Sequence, residues 1–216
     1  MNSVKLTRGA LIVLEGLDRV GKSTLAKKLV EHFERIRKPV QYYRFPDRTT
    51  PIGQLINEFL VSSKRVDNRS MHLLFSANRW ELDKQMRNHI NQGTTVIVDR
   101  YSYSGVAYSS AKRNLDLDWC CQTENGLPKP DLVIYLDLPK EAQYKRPGFG
   151  DERFETEELQ ELVRVQYENL MSRSKENWLR IDVENKSPDQ ILGEIIVPVK
   201  RCLEGCANRE LGQLQF

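Results

Sequence analysis

Long apolar runs are missing from this chain. Stretches such as "ALIVL" and "TVIV" fall far short of the roughly 20 residues a membrane-spanning helix needs, which argues against a membrane partner. Cysteine and histidine are scarce. Cys120 and Cys121 are adjacent, Cys202 and Cys206 stand four apart, and His32, His72 and His89 do not pair with them at metal-ligand spacing. A zinc cluster or disulfide framework is therefore not expected; reduced, partly buried thiols and histidines carried on helices are. A surplus of one charge sign is lacking too. Lys and Arg number 33 against 30 Asp and Glu, a net charge of +3, so no broad basic field points to nucleic acid, although a local anion site fits within it. The opening "MNSVKLTRG" carries no hydrophobic signal region and runs into a strand, so a cytoplasmic protein is expected, with the nucleus as second compartment. No internal repeat, low-complexity tract or linker interrupts residues 1–216, and one domain of this size can bury a core unaided.

Strand and helix patterns alternate along the chain. "ALIVLE" (Ala10 to Glu15), "VQYYRF", "TTVIVDR", "DLVIYLDL" (Asp131 to Leu138) and "WLRIDV" (Trp178 to Val183) read as five strands, several apolar enough for burial on both faces. Between them run helical stripes: Leu25, Leu29, Phe33 and Ile36; Ile52, Leu55, Ile56, Phe59 and Leu60; Met71 through Ile90; Leu159 through Leu170. Ser187 and Pro188 read as the cap and first residue of a last helix through Val199. This order predicts an α/β fold with a parallel sheet flanked by helices, and ligands at the carboxyl ends of its strands.

Residues Gly16-x-x-x-x-Gly21-Lys22-Ser23 match the phosphate-loop pattern, which arises by chance in roughly one chain in a hundred of this length. It follows a strand and opens an amphipathic helix, the context that confirms it. Its backbone N–H groups and the helix N-terminus supply positive potential. Lys22 reaches β- and γ-phosphates in such loops, and the Ser23 hydroxyl helps hold Mg²⁺. Asp99, closing the third strand, is the carboxylate expected near that ion. Arg19, inside the loop, is placed to stabilise charge on a moving phosphoryl group. Asp18 beside it either orients Arg19 or accepts a hydrogen bond from the acceptor.

A second, smaller phosphorylated substrate is indicated by Arg44 and Arg48 near the end of the second strand and Arg100 at the end of the third, since guanidinium forks grip phosphate well. Phe75 and Arg79, four apart, share a helical face; they read either as a stacking aromatic with a base-reading guanidinium, or as a core phenylalanine beside an exposed arginine. Tyr101 and Tyr108 could wall the same pocket. The segment "KEAQYKRPGFGDERFE" (140–155) has the charge and glycines of a lid, from which Lys145, Arg146 and Arg153 could contact nucleotide. The final "ANRELGQLQF" either packs on the body or trails from it.

Together, "LIVLEGLDRVGKST", "RFPDRTTPIG", "HLLFSANRWE", "VDRYSYSGVAY" and "GLPKPDLVIYLDL" closely resemble the thymidylate kinases, P-loop nucleoside monophosphate kinases, and most strongly their eukaryotic and poxvirus type. The resemblance runs from about Gly9 to the last helix. It implies a three-layer P-loop NTPase fold with a five-stranded parallel sheet, Mg²⁺-dependent transfer of the γ-phosphoryl group of ATP to dTMP giving dTDP, and a homodimer. Residue by residue it implies that Gly16, Arg19, Val20, Gly21, Lys22, Ser23, Thr24 and Arg146 bind ATP, and that Ser23 and Asp99 serve the metal. Arg48 and Arg100 hold the dTMP phosphate, Phe45 lines its site, Phe75 stacks on thymine, Arg79 donates to it, Tyr108 lies against sugar and base, and Asp18 faces the 3′-hydroxyl. Asp18, Arg19, Lys22 and Arg100 form the catalytic set. Phe154 stands where relatives carry tyrosine, the Tyr108 hydroxyl reads as dispensable because phenylalanine also occurs there, and Pro147 stiffens the lid. The alternatives are a kinase for another nucleoside monophosphate or for a deoxynucleoside, and a nucleotide-binding protein without transfer activity; the paired arginines weigh against a nucleoside acceptor, and the intact loop against a protein that has lost transfer.

Overall fold

The computed structural model describes residues 7–61, 66–150, 152–174 and 176–216; the reading of the first six residues lies outside that range, as does residue 151 of the segment read as a lid. Five strands, β1 (Leu11–Gly16), β2 (Val40–Arg44), β3 (Thr95–Asp99), β4 (Leu132–Asp137) and β5 (Trp178–Asp182), form one sheet in the order β2-β3-β1-β4-β5. Every pairing is parallel. β1 and β3 are buried along their whole length, as continuous apolar strands between helical layers must be. The helices are α1 (Lys22–Arg35), α2 (Pro51–Val61), α3 (Asn68–Asn91), α4 (Ser102–Ser110), α5 (Leu117–Gln122), α6 (Lys140–Gln143), α7 (Glu157–Arg173) and α8 (Pro188–Cys206).

The five expected strands are all present, and Ser187 caps α8 through a full capping box with Gln190. Three short helices, α4, α5 and α6, were not legible in the sequence. The stripes are also imperfect: Leu55, Leu162 and Val165 face solvent. All four cysteines are free and buried. The three histidines sit on helices, and His72 is wholly buried, bonded to Ser109 Oγ and Thr123 Oγ1 at 2.8 Å each.

Because β1 leads out to β2 at one edge while β3 and β4 flank it, the chain changes direction between β1 and β3. Their carboxyl ends open the crevice where such sheets bind ligands. One buried charge fixes that crevice. Glu15, near the end of β1, is fully buried. Its Oε1 accepts the backbone N–H of Tyr101 (2.9 Å) and Ser104 (3.1 Å). Its Oε2 accepts the hydroxyls of Ser104 (2.5 Å) and Tyr167 (2.8 Å). Tyr101 is the N-cap of α4 and offers no side-chain cap, so Glu15 satisfies the orphan donors of that helix from a neighbouring strand. This is why the weak helix former "SYSGVAYSS" winds into a helix here.

Glu15→Leu strands two buried N–H groups and is expected to lower the unfolding free energy in urea by about 3 kcal/mol. Glu15→Gln should cost distinctly less, because both hydroxyls can turn to accept from the new amide. Equal losses from the two variants would contradict the capping role.

Candidate active site

The carboxyl ends of β1, β2 and β3 open into one cleft of about 480 Å³ above the sheet. The phosphate loop after β1 forms its floor. Gly16 (φ 137°) and Gly21 (φ 97°) take backbone angles that side chains rarely adopt, and a Cβ on Gly16 would sit 2.5 Å from the Leu136 carbonyl oxygen. Arg19 (φ 62°) and Arg100 (φ 65°) also have left-handed backbones without being glycine. Strain of that kind collects at sites where side-chain direction matters.

Lys22 opens α1 with Gly21 as its N-cap, and its ammonium donates to the Leu17 carbonyl. Burial, and next the charge of Arg100, pull it down to about 7; an incoming polyphosphate opposes both effects. Ser23 Oγ donates to Asp99 Oδ2 at 2.5 Å. The same carboxylate oxygen accepts from Tyr42 (3.3 Å) and lies 3.8 Å from Arg44 Nε. Among the described residues no group of three or more Cys, His, Asp or Glu side chains could hold a metal alone. A hydroxyl and a carboxylate in contact nevertheless fit Mg²⁺, which keeps several waters and shares phosphate oxygens rather than needing a protein cage.

Asp18 joins the two halves of the cleft. Arg100 pairs with its Oδ1. Its Oδ2 accepts from Tyr108 (2.8 Å) and Gln160 (2.6 Å), while Gln143 donates to its carbonyl at 3.0 Å. Burial would raise the Asp18 carboxyl, but Arg100 first and Lys22 next outweigh it and hold it below the usual carboxylate range. The Tyr108 hydroxyl is thus engaged by the loop carboxylate. Arg19 is held bidentately by Glu155 of the 140–155 segment, at 2.7 and 3.1 Å.

On the acceptor side, Phe45, Arg48, Phe75, Arg79, Arg100 and Tyr108 all line the cleft. Phe75 is half-buried while Arg79 is 2% exposed, the reverse of a core phenylalanine beside a solvated arginine. Arg79 survives burial because Glu124 receives its Nε (2.7 Å) and Nη2 (2.5 Å). Arg48 reaches Glu152 of the 140–155 segment at 3.4 Å. Arg19, Gly21, Lys22, Ser23 and Thr24 line the donor end. Gly16 and Val20 do not, and Val20 packs into the core. Arg146 and Lys145 stand exposed away from the cleft, and Arg153 lies over the Phe59 ring at 4.2 Å. None of these three cations of the 140–155 segment lines the cleft.

The sequence reading missed Glu15, Glu124, Gln143, Glu155, Gln160 and Lys112. Only Glu15 left a signal, a charge at the end of an apolar strand. Lys112 lines the cleft with its ammonium 4.3 Å from the Phe154 ring centre.

A family model described as thymidylate kinase matches residues 14–195. A thymidylate kinase of Dictyostelium discoideum is 48% identical over 191 residues, 88% of this chain and 84% of that protein. One from Homo sapiens is 44% identical over 207 residues, 96% and 97% of the two chains. The solved thymidylate kinase from Candida albicans superposes with a TM-score of 0.87 at 36% identity, covering 97% of this chain and 99% of that one. No helix among the described residues is long and apolar enough to cross a membrane.

Burial, with Arg153 adding to it, lowers the Lys112 ammonium to about 8, below the unfolded value of about 10.4. The charged form therefore costs stability in full below pH 8, and the cost fades as pH rises toward 10. Lys112→Met should be more stable than the parent at pH 7, with its advantage shrinking between pH 8 and 10 in urea titrations. A pH-independent offset would place the ammonium in solvent.

Proposed function

Because this chain belongs to the thymidylate kinase family, we propose that its cleft holds ATP and dTMP end to end over the carboxyl ends of β1, β2 and β3. The enzyme is a phosphotransferase that moves the γ-phosphoryl group of ATP to dTMP, giving ADP and dTDP. The observation that carries the assignment of roles is the convergence of a phosphate loop, three arginines and a Phe75–Arg79 pair on one cavity.

At the donor end, loop N–H groups and Lys22 hold the β- and γ-phosphates. Ser23 directly, and Asp99 beside it, would hold Mg²⁺, which when bound neutralises charge on those oxygens. Arg19 stabilises the transferring group, and Glu155 gives its guanidinium a fixed approach. At the acceptor end Arg48 and Arg100 grip the dTMP phosphate. Phe75 stacks on the base, Arg79 donates to its carbonyl edge, and Tyr108 lies against the sugar. Asp18 accepts the 3′-hydroxyl. With both ends held, transfer becomes a matter of in-line positioning and charge stabilisation. The segment 140–155 acts as lid. Arg146 stands exposed outside the cleft, so its role toward ATP rests on the resemblance alone.

A homodimer is supported by apolar surface: Leu73 and Trp80, seven apart on α3, are 49% and 40% exposed and suit coverage by a second copy. Four free thiols suit a reducing compartment such as the cytoplasm.

The test is ADP release with ATP and Mg²⁺ across dTMP, dUMP, dCMP, dGMP, AMP, UMP and thymidine. dTMP should be preferred over dCMP and thymidine by at least about a hundredfold in kcat/KM; equal use of dCMP would remove the base-reading role of Arg79. Arg19→Met should lose on the order of a thousandfold in kcat with ATP affinity retained, and unchanged turnover would make Arg19 a bystander.

A further inference from the structure

Arg79 reads as the base-recognising group, yet nothing in its own helix holds it. Its guanidinium is buried, and its Nε and Nη2 are both committed to Glu124, leaving Nη1 without a hydrogen-bond partner among the described residues. Gly105 lies against it: a Cβ there would stand 2.4 Å from Arg79 Nη2, so a side chain at this position of α4 would displace the guanidinium. Glu124 is itself wholly buried, and Arg79 more than offsets the upward pull of burial on its carboxyl. A paired, buried guanidinium of this kind has one orientation open to it.

Glu124 sits at the start of a turn, and the turn is strapped down by the end of the chain. The Gly126 N–H donates to the Leu214 carbonyl (3.0 Å), the Leu214 N–H to the Leu127 carbonyl (2.8 Å), and the Lys129 N–H to the Gly212 carbonyl (3.0 Å). Pro128 and Gln213 form an antiparallel bridge. The Phe216 N–H donates to Asn125 Oδ1 at 2.9 Å. Leu214 is 1% exposed, and the Phe216 ring meets Tyr103 edge-on at 5.5 Å. From the other side, α3 holds the turn through Trp80 Nε1 on the Thr123 carbonyl (3.0 Å) and Arg87 on the Gly126 carbonyl (2.6 Å).

We propose that Glu124 and the C-terminal strap 212–216 are positioning elements for acceptor recognition, which fix Arg79 so that its remaining N–H groups meet a carbonyl-bearing pyrimidine and reject an amino-bearing one. The proposal rests on the reading of Arg79 as base reader. Glu124 touches no substrate; it acts by removing the rotations that would let Arg79 adapt to a different base edge. The tail acts one step further out, by holding the turn that carries Glu124.

The experiment is steady-state kinetics with dTMP and dCMP at saturating ATP, and with ATP varied at saturating dTMP. Glu124→Gln should raise KM for dTMP roughly 10- to 100-fold, narrow the preference for dTMP over dCMP, and leave kcat and KM for ATP within about twofold of the parent. Glu124→Asp should recover most of the loss. In an Arg79→Met background Glu124→Gln should add nothing further, because the two residues act as one unit. Truncation after Glu210, or the milder Leu214→Ala should the truncated chain not fold, should give the same pattern at smaller size. If Arg79→Met alone leaves KM for dTMP unchanged, the base-reading assignment itself falls. If Arg79→Met raises it while Glu124→Gln and the tail variants do not, only the positioning proposal falls. A parallel loss of kcat and ATP affinity in the Glu124 and tail variants would reduce both to general stability and overturn it as well.

Discussion

The carboxylate of Asp18 is where the site's two tasks meet. It lies on the phosphate loop, which exists to hold a polyphosphate, yet two of its side-chain partners, Arg100 after β3 and Tyr108 on α4, come from the acceptor side, with Gln160 of α7 beside them. A carboxylate placed among phosphates would ordinarily repel them. Here it is matched by Arg100 and Lys22 and held in the ionised form, so its charge orders the cations around it. On the proposed reading, this arrangement ties the position of the acceptor to the conformation of the donor loop, which is what in-line transfer requires.

Around that joint the fold spends several buried charges on fixing directions. Glu15 holds the turn that presents Arg100, Glu155 holds Arg19, and Glu124 holds Arg79. Each pairs an acid with a cationic or backbone donor whose aim matters to the cleft. Buried pairs of this type are weak contributors to net stability. Their value here is geometric, since a guanidinium bonded through two of its nitrogens has little rotational freedom left. The left-handed backbones at Arg19 and Arg100 belong to the same pattern, in which local strain is accepted to direct a side chain.

Much of this was legible in the sequence, and the rest was hidden for identifiable reasons. Strands β1, β3 and β4 announce themselves because a strand buried on both faces must be apolar throughout, and the phosphate loop because its glycines are dictated by backbone angles. α4 was invisible because its sequence has little helical preference and its cap comes from Glu15 on another element. The burial of Arg79 was likewise unreadable: its partner Glu124 lies 45 residues away, and helical spacing alone points to an exposed arginine. Gln143 and Gln160 sit among charged lid and helix residues with nothing local to distinguish them. The tail's role was open because its contacts are backbone hydrogen bonds, which leave no pattern in side chains. The charges of the 140–155 segment were legible but their direction was not, since composition does not say which way a side chain points.

The central claim is that Asp18 serves the acceptor from the donor loop, and the most direct measurement is equilibrium binding of dTMP and its 3′-deoxy analogue to the parent and to Asp18→Asn. The account predicts that the parent binds dTMP more tightly than the analogue by roughly tenfold or more and that the ratio falls in Asp18→Asn, whose neutral amide oxygen accepts a weaker hydrogen bond than the carboxylate, whatever happens to either affinity alone. A ratio unchanged by the substitution would show that Asp18 does not meet the 3′-hydroxyl, and the coupling of the two halves of the cleft would have to be sought elsewhere.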